Sequence, residues 1–377
     1  MHVLPYDNLT HLAACQEQWD GLSAGIPFRS WAWASTWWRH YGQPQSNRRL
    51  CVLAVRDQCG RLAGLAPFCL ENRGPMGRVL RLLGSGEVCS DYLGLMCRPG
   101  LAEPVSEAIA QWLCRQAGAS SADQRWDLLR LEAVDAEDHP TLCLAEALGR
   151  AGCWVHRRPG PCCWRVDLPP TWDEYLGSLS KSHRKQVRRA DRGLFASGRA
   201  VLRTVACRPE LGQAMDLLED LHQRRRGQLG QRGCFASARF GAFHRDVAAA
   251  LLAQGQLQLH WLELDGRPVA AEYHLSGSGV LYAYQAGVDP EALGHQPGNL
   301  ITQATLRRAI EQGFRSFDFL RGDEPYKAHW RSRPRPTLEI RAAADRAAAR
   351  FRQRVWLAGL KVKRFFGGEA TPGKPGR

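Results

Sequence analysis

Hydrophobic positions in the first half of the chain follow first the period of strands and then the period of helices. Residues 49–70, RLCVLAVRDQCGRLAGLAPFCL, form two apolar runs around a short polar turn, which predicts a β-hairpin. Residues 91–97, DYLGLMC, predict a further strand. In residues 101–118 the apolar side chains recur at i, i+3, i+4 and i+7, which predicts a helix. Residues 125–134, RWDLLRLEAV, predict the strand that follows it.

The second half of the chain repeats this order of elements. Residues 256–275 predict a second hairpin, 280–288 a strand, 297–313 an amphipathic helix and 314–320 another strand. Hairpin, strand, helix and strand therefore occur once in each half, and we interpret the chain as an internal duplication. A shared order without shared residues is also compatible with coincidence.

These patterns predict an α/β protein of two domains, each with a mixed, mostly antiparallel sheet flanked by helices. We place the domains at residues 1–155 and 156–340, because the stretch around 152–163, GCWVHRRPGPCC, interrupts both periodicities. Residues 341–366 predict a basic amphipathic helix, and residues 367–377 predict a disordered tail.

The composition is that of a globular protein. The 377 residues include 44% hydrophobic and 23% charged residues, and apolar runs stay well short of the roughly 18 residues of a membrane span. The N-terminal residues lack the basic and apolar regions of a secretory signal, so a cytoplasmic location is expected.

Cysteine and histidine spacings give no indication of a metal site. The 13 cysteines are scattered without a C-x-x-C spacing, and the 12 histidines form no H-E-x-x-H motif. Reduced thiols and the absence of a metal are therefore expected.

The positive charge is concentrated at the C-terminus. Residues 341–377 hold ten basic and two acidic residues, a net +8 out of the formal +14 of the whole chain. The rest of the chain is too weakly basic for a dedicated nucleic-acid-binding domain. The basic amphipathic helix predicts contact with an anionic membrane surface, peripheral to its inner face, while docking of an ordinary terminal helix explains the same pattern.

A second group of cations lies at the start of the predicted second domain. Thr171 with Glu174, and then Ser180, are capping residues that predict two short helices. The second helix would carry six cations on one side, and like charges at these spacings repel, so an anion nearby is expected. These cations are Lys181, Arg184, Lys185, Arg188, Arg189 and Arg192. A solvated face, substrate phosphates and acids of the first domain are three alternatives.

A glycine-containing loop precedes the helix of the second half. Residues 289–299, DPEALGHQPGN, place Gly294 and Gly298 before or at the helix start, where free N–H groups and the helix dipole bind phosphate. The signal is weak alone, because loops before helices are often rich in glycine.

The last strand of the second half ends in a cluster of charges. Asp318 lies on the strand, and Arg321, Asp323, Tyr326 and Lys327 follow at its end, where α/β folds bind ligands. A structural ion pair between Asp318 and Arg321 followed by a surface turn is the alternative. Lysine is rare in this arginine-rich chain, which draws attention to Lys327 as a compact point charge.

Residues from about 257 to 330 resemble a known family. The motifs L-D-G-R-P-V-A, Q-P-G-N-L, F-D-F-L-R-G-D and Y-K-A-H-W are similar to those of CelD/BcsL-type acetyltransferases, GNAT-superfamily members related to the FemAB-type transferases. S-K-S-H-R-K-Q-V-R-R-A, F-R-S-W-A-W and S-D-Y-L-G-L extend the resemblance over most of 20–340. It implies a tandem GNAT-like fold with the acyl donor mainly in the second domain.

The resemblance also implies roles for individual residues. Acetyl-CoA or another acyl-CoA would bind Gly287, Val288, Gly294, Gln296, Gly298, Asn299 and Leu300. Because the family's loop pattern is matched only by H-Q-P-G-N-L, the donor stays open between acyl-CoA and aminoacyl-tRNA. Expected substrate-binding residues are Lys181, Arg184, Tyr284, Arg321, Asp323, Tyr326 and Trp330.

Direct acyl transfer needs a general base and a group that stabilises the oxyanion. Asp318 and Glu272 are the candidate bases, and Lys327 is the candidate charge near a phosphate or an oxyanion. The resemblance implies acylation of a sugar or envelope precursor in exopolysaccharide or cellulose biosynthesis. A FemAB-like aminoacyl-tRNA-dependent transferase and a non-catalytic scaffolding subunit are the alternatives.

Overall fold

The computed structural model describes residues 1–119 and 125–366. The strands are β1 (His2–Tyr6), β2 (Arg48–Arg56), β3 (Leu62–Asn72), β4 (Arg78–Leu82), β5 (Met96–Cys97), β6 (Leu128–Asp135), β7 (Trp154–Pro159), β8 (Cys163–Asp167), β9 (Ala200–Thr204), β10 (Leu257–Leu264), β11 (Arg267–Gly277), β12 (Val280–Val288), β13 (Ser316–Arg321), β14 (Arg333–Arg335) and β15 (Thr337–Ala343).

The α-helices are α1 (Gln16–Leu22), α2 (Trp31–Trp37), α3 (Ala102–Ala117), α4 (His139–Arg150), α5 (Trp172–Ser178), α6 (Lys181–Ala190), α7 (Arg208–Gln228), α8 (Ala238–Ala253), α9 (Pro297–Glu311), α10 (Tyr326–His329) and α11 (Ala347–Phe366). Short 3-10 helices cover Leu9–Cys15, Pro27–Arg29, Gly74–Met76, Cys234–Ala236 and Pro290–His295, and π-helical turns cover Trp38–Gly42 and Asp191–Phe195. None of these helices combines the length and apolar character that a membrane crossing requires.

The strands form two mixed sheets. The first has the order β1-β2-β3-β4-β6-β15-β7, with β5 paired to β3, and the second has the order β14-β8-β13-β12-β11-β10-β9. Each contains one parallel pair, β4 with β6 and β12 with β13, and the other pairs are antiparallel. The predicted α/β class with mixed, mostly antiparallel sheets is confirmed.

One predicted strand of the first half is misplaced. The parallel partner of β6 is β4, whereas the predicted strand 91–97 contains only β5. Asp91 and Tyr92 instead lie in a turn, with Tyr92 at φ +59° and its N–H bonded to the carbonyl of Ala133. This turn faces the second domain, so tertiary contacts outweigh the local strand pattern.

The chain crosses between the sheets twice, and its last strand returns to the first sheet. β15 lies between β6 and β7 and forms antiparallel pairs with both. The sheets therefore divide the chain differently from the predicted boundaries, since residues 337–340 belong with the first domain.

Residues 341–343 are also strand, so the C-terminal helix begins at Ala347 rather than at 341. The predicted tail at 367–377 lies outside the described residues.

The C-terminal helix packs on the first sheet through one of its faces. The Arg341 guanidinium of β15 lies 3.8 Å from the ring centroid of Trp356. Phe351 and Val355, one turn apart, remain 67% and 55% exposed. They are the apolar side chains that the predicted membrane contact would use, and that contact stays a prediction.

The hydrophobic core continues from the first domain into the second. Trp33 on α2 contacts Phe28 and Phe243 edge to face, with ring centroids 5.1 Å apart in both pairs, and it also meets Tyr284 of β12. Such aromatic burial gives the shared interface a fixed geometry.

α5, α6 and α9 cover the opposite face of the second sheet. The predicted caps are present, because Thr171 accepts a hydrogen bond from the Glu174 N–H at 3.3 Å and Ser180 accepts one from the His183 N–H at 3.3 Å. Val187 anchors α6 on this face as its one buried residue. The two short helices predicted before the second sheet are confirmed.

Candidate functional site

β12 and β13 separate after a short parallel pairing. They pair only where Val280–Tyr282 lies against Ser316–Asp318. β12 then continues to Val288 and leads into the loop before α9, while the end of β13 pairs with β8 through Arg321 and Cys163. The carboxyl ends of the two central strands therefore diverge, and a ligand can enter between them without breaking a ladder of hydrogen bonds.

A cavity of about 530 Å³ lies between α6, the loop after β12 and the first turn of α9. Its lining brings together Gly294, Gln296, Asn299 and Leu300 with Trp330, which follows α10. The sequence analysis, with its family resemblance, predicted that these five residues bind donor or substrate. Their convergence makes this cavity the candidate site.

Two other predicted cofactor residues lie beside the cavity rather than in its lining. Gly298 is inside the first turn of α9, and a Cβ there would meet Val288 at an ordinary contact distance of 3.7 Å. Val288 is a partly buried member of the small apolar cluster that includes Leu300. Both residues support the loop, and their contact with a donor stays a prediction.

Gly287 has a structural reason to be glycine. A Cβ at this position would lie 2.5 Å from the backbone nitrogen of His222 and 3.0 Å from the carbonyl oxygen of Leu218, both on α7. The absence of a side chain therefore allows α7 to approach the sheet closely. This contact accounts for the glycine without a cofactor.

The cavity has a positive electrostatic character. α9 starts at Gln296 in a left-handed conformation, φ +54°, and directs the N-terminus of a 15-residue helix towards it. Arg189 and Arg199 also line it. Arg199 is already paired with Asp265 at 2.7 Å, whereas Arg189 has no ion pair within the described part of the chain. A phosphate group is the ligand that this combination favours.

The basic face of α6 is exposed and lacks acidic partners. Its exposed cations, none of which forms an ion pair within residues 1–119 and 125–366, are Lys181, Lys185, Arg188, Arg189 and Arg192. Arg184 is partly buried and donates to the carbonyl of Gly177 at 3.3 Å. Packing against acids of the first domain, one of the three alternatives, is therefore not found. Lys181 and Arg184 lie outside the cavity lining.

Lys327 is buried and stabilises the turn after β13. Its ammonium donates to the carbonyls of Leu320 at 3.2 Å and of Arg321 and Gly322 at 2.9 Å each. Its ion pair is with Glu324, at 2.9 Å, and its side chain is 3% exposed. Three carbonyls converge on one point because Leu320 and Gly322 have φ of +55° and +116°. Arginine cannot present three such donors from one small centre.

Asp318 lies in a buried network between the domains. Its carboxylate accepts hydrogen bonds from the Tyr92 hydroxyl at 2.7 Å and from the Leu320 N–H at 2.8 Å. Burial raises the pKa of Asp318 to about 6, although the Tyr92 and Leu320 donors and the nearby Arg165 oppose this shift. The carboxylate is fully buried, so it does not open directly on the candidate cavity.

Arg321 belongs to the same domain interface. Its Nε donates to Asp91 Oδ1 at 2.7 Å, and its Nη2 donates to the carbonyl of Ser90 at 2.8 Å. The partner of Arg321 is therefore Asp91 rather than Asp318, which the sequence suggested as an ion pair. Burial raises the pKa of the Asp91 carboxyl, and the Arg321 guanidinium opposes this effect.

Glu272 connects β11 to α9. Its carboxylate accepts hydrogen bonds from the hydroxyls of Thr302 at 2.9 Å and Thr305 at 3.0 Å. His274 Nε2 lies 3.0 Å from the same carboxylate but outside hydrogen-bonding geometry. The group is 7% exposed, and its contacts hold α9 on the sheet beneath the cavity.

The remaining predicted substrate residues are divided between interface and surface. Tyr284 donates from its hydroxyl to the carbonyl of Val88 and lies 3.1 Å from His244 Nε2, so it faces the first domain. Asp323 is exposed and accepts from Trp164 Nε1 at 3.1 Å. Tyr326 is 43% exposed, with its ring 6.0 Å from Phe319 on β13. Only the last two are accessible at the strand end.

One group of potential metal ligands occurs among the described residues, on α3 and α4 of the first domain. Ligand atoms of Glu103, His139 and Cys143 lie within 4.8 Å of one another. None of these residues lines the candidate cavity. The thirteen cysteines are free thiols.

Sequence reasoning missed the first-domain side of the site region. Asp91 and Tyr92 of the first domain contact Arg321 and Asp318, and Arg165 of β8 lies 3.8 Å from Asp318, but the strand and motif patterns of these residues did not indicate these contacts. The stretch S-D-Y-L-G-L was noted only as part of a family resemblance. Its position after a glycine-rich connection is the signal that would have marked it as a functional turn.

Comparison with known proteins gives a domain match in the second half of the chain and a similarity of fold over most of its length. Residues 181–328 match the family described as acetyltransferase (GNAT) domain. The fold is similar to that of FemX (TM-score 0.62, 11% identity), over 95% of this chain and 99% of that one.

Two further solved structures share the fold. A conserved protein of unknown function from Bacteroides thetaiotaomicron VPI-5482 has a TM-score of 0.57 and 11% identity, covering 91% of this chain and 100% of that one. L-PGS from Bacillus licheniformis has a TM-score of 0.54 and 13% identity, covering 97% and 98%. A comparison with curated protein sequences gave no match. The acetyltransferase match and the shared fold support an acyltransferase with a GNAT-type domain in the second half of the chain.

Proposed function

We propose that the protein transfers an acyl group from an acyl-CoA, acetyl-CoA in the simplest case, to an amine or hydroxyl. The observation that carries the proposal is the 530 Å³ cavity at the start of α9, beside the point where β12 and β13 diverge. We assign pyrophosphate binding to the N-terminus of α9 and Arg189, and we assign the pantetheine arm to the region where β12 and β13 no longer pair.

Transfer would proceed by direct attack on the thioester, without a covalent enzyme intermediate. The acceptor attacks the thioester carbonyl and gives up its proton to solvent, the carbonyl oxygen develops negative charge, and the C–S bond breaks to release the thiolate, which takes up a proton. Tyr326 lies just after β13 and is 43% exposed, and partial burial raises the pKa of its phenol, so it stays protonated. We assign it as the proton donor to the leaving thiolate.

The buried acids would act through their neighbours. The Asp318 carboxylate accepts hydrogen bonds from the Tyr92 hydroxyl and the Leu320 N–H, and the Glu272 carboxylate accepts them from the two threonines of α9. We therefore assign both as positioning residues, with Lys327 fixing the turn that carries Tyr326. We assign contact with the acceptor to the exposed side chains of Asp323 and Tyr326.

The acceptor class rests on the sequence resemblance alone. A sugar or envelope precursor of the kind acylated in exopolysaccharide or cellulose synthesis is the proposed acceptor. Trp330 is 1% exposed and lines the donor cavity, so its proposed contact is with the donor rather than with a sugar.

Filling the cavity is expected to abolish donor binding. A Cβ at Gly294 would meet nothing within 4 Å, and Gly294 lines the cavity, so Gly294→Trp is expected to fill cavity space. Acetyl-CoA at 100 times its Kd should stabilise the unmodified protein by about 2.7 kcal/mol. Thermal unfolding with and without acetyl-CoA should show an upward shift that Gly294→Trp loses.

Gly212→Trp is the matched control, because Gly212 is exposed on α7 and a Cβ there also meets nothing within 4 Å. It should keep the acetyl-CoA shift. The absence of a shift with acetyl-CoA and longer acyl-CoAs in the unmodified protein would overturn the proposal, as would a shift that all three proteins share.

An aminoacyl-tRNA donor is the second candidate, and one observation favours it. The exposed cations of α6 run beside the cavity without acidic partners, as a phosphate-binding surface requires. Binding through them would weaken steeply as salt rises. Salt-sensitive tRNA binding without an acetyl-CoA shift would favour this candidate, and the loss of tRNA affinity in Arg188→Glu would locate it on α6.

A further inference from the structure

A second cleft lies between the two domains, at the opposite ends of the central strands. Val280 and Ser316, the first residues of β12 and β13, form its second-domain wall, and Tyr92 contributes from the first domain. Its volume is about 350 Å³. Because the donor cavity lies at the far ends of the same strands, the two sites are separate.

Positive charge dominates this cleft. Its charged side chains are three guanidinium groups, Arg165, Arg315 and Arg335, against the single carboxylate of Asp135. Arg335 is neutralised, since it donates twice to Asp135, at 2.8 and 2.6 Å. Arg315 uses Nη2 to bond the carbonyl of Ser278 at 2.8 Å. Arg165, 3.8 Å from Asp318, and Arg315, which forms no ion pair among the described residues, supply the remaining positive charge.

Arg165 extends into the cleft without a hydrogen-bond partner among the described residues. Its Nε is completely buried and unpaired, and the closest carboxylate oxygen, Asp318 Oδ2, is 3.8 Å away. Asp318 already accepts from Tyr92 and Leu320 at shorter distances. The side chain as a whole is 24% exposed and lines the cleft, so its terminal nitrogens, which form no hydrogen bond among the described residues, can donate to an acceptor there.

A second unpaired donor lies in the same lining. Tyr282 is 4% exposed, and its hydroxyl forms no hydrogen bond within residues 1–119 and 125–366. Arg165 on β8 and Tyr282 on β12 lie on either side of β13, each in register with Asp318, and both side chains line the cleft. The two groups can donate to one bound anion.

We propose that this interdomain cleft binds a small anionic molecule through a carboxylate or phosphate group, with Arg165 and Tyr282 as the principal donors. The planar guanidinium fork matches either group with paired hydrogen bonds. Ile26 and Val280 provide apolar contact for the rest of the ligand. A ligand there would contact both domains and so stabilise their arrangement.

The test is thermal unfolding of the full chain with inorganic phosphate, acetate or chloride as the probe, near neutral pH and at one ionic strength. All measurements are made in the Gly294→Trp background, so that the donor cavity cannot report phosphate binding. We expect phosphate or acetate to raise the Tm relative to chloride. Whichever of the two does so identifies the anionic group.

Arg165→Met should weaken the apparent affinity for that ion about ten-fold or more, because a charge-assisted pair of hydrogen bonds is lost. Arg267→Met, at the exposed first residue of β11 outside the cleft, should leave this affinity unchanged. If Arg165→Met fails to fold, Tyr282→Phe removes one hydroxyl and should weaken binding several-fold. Equal shifts in all variants, or no shift with either ion, would overturn the proposal.

Discussion

Replacing Lys327 with methionine is expected to lower the free energy of unfolding of the ligand-free protein by about 3–5 kcal/mol. The ammonium is 3% exposed and bonds three carbonyls that the turn aims at one point. Methionine fills a similar volume but leaves those oxygens without their donor in a buried place. Urea unfolding followed by circular dichroism measures the change without any substrate.

Two variants separate this effect from ordinary loss of charge. Glu324→Gln removes the other half of the ion pair, but Glu324 is 56% exposed, so we expect less than about 1 kcal/mol. Lys185→Met removes an exposed lysine of α6 and should change stability little. A Lys327→Met protein with unchanged stability and abolished acyl transfer would contradict the structural role and favour a point charge acting on the substrate.

Asp318→Asn is expected to change the pH dependence of stability. The folded pKa of Asp318, about 6, lies above the ordinary value of 3.8, so between these pH values the folded protein binds more protons than the unfolded chain. Stability from this group therefore falls as pH rises through that window. The shift corresponds to about 3 kcal/mol over the whole window.

Asparagine does not titrate, yet its oxygen can still accept from the Leu320 N–H. The stability of Asp318→Asn relative to the unmodified protein should therefore increase as pH rises from about 4 to about 6, and then level off. Tyr92→Phe removes a donor that lowers the pKa, so it should move the upper end of the window to higher pH. A difference between Asp318→Asn and the unmodified protein that is flat with pH would refute the buried titration.

Local signals were sufficient to predict the elements that form the donor site. The alternation of β12, the glycine-containing loop and the apolar period of α9 lie within one continuous stretch, and each depends on neighbours a few residues away. Gly294, Gln296, Asn299 and Leu300 lie within this stretch and line one cavity, and their contact with a donor stays a prediction.

Long-range pairings could not be predicted in this way. Arg321 bonds Asp91 across 230 positions, and β15 returns to fill the first sheet after the whole second domain. The hydrophobic period of β13 does not indicate which of its faces contacts another domain. Asp318 was therefore predicted as an accessible base, although it is buried. The role of Lys327 depends on the left-handed conformation of Leu320, which residue type does not indicate.

The most direct test of the central claim is a crystal structure with coenzyme A at saturating concentration. The account predicts the pyrophosphate in the cavity against the first turn of α9 and Arg189, with the pantetheine arm passing between β12 and β13. Coenzyme A bound elsewhere on the molecule, or a cavity that holds only solvent under these conditions, would contradict it.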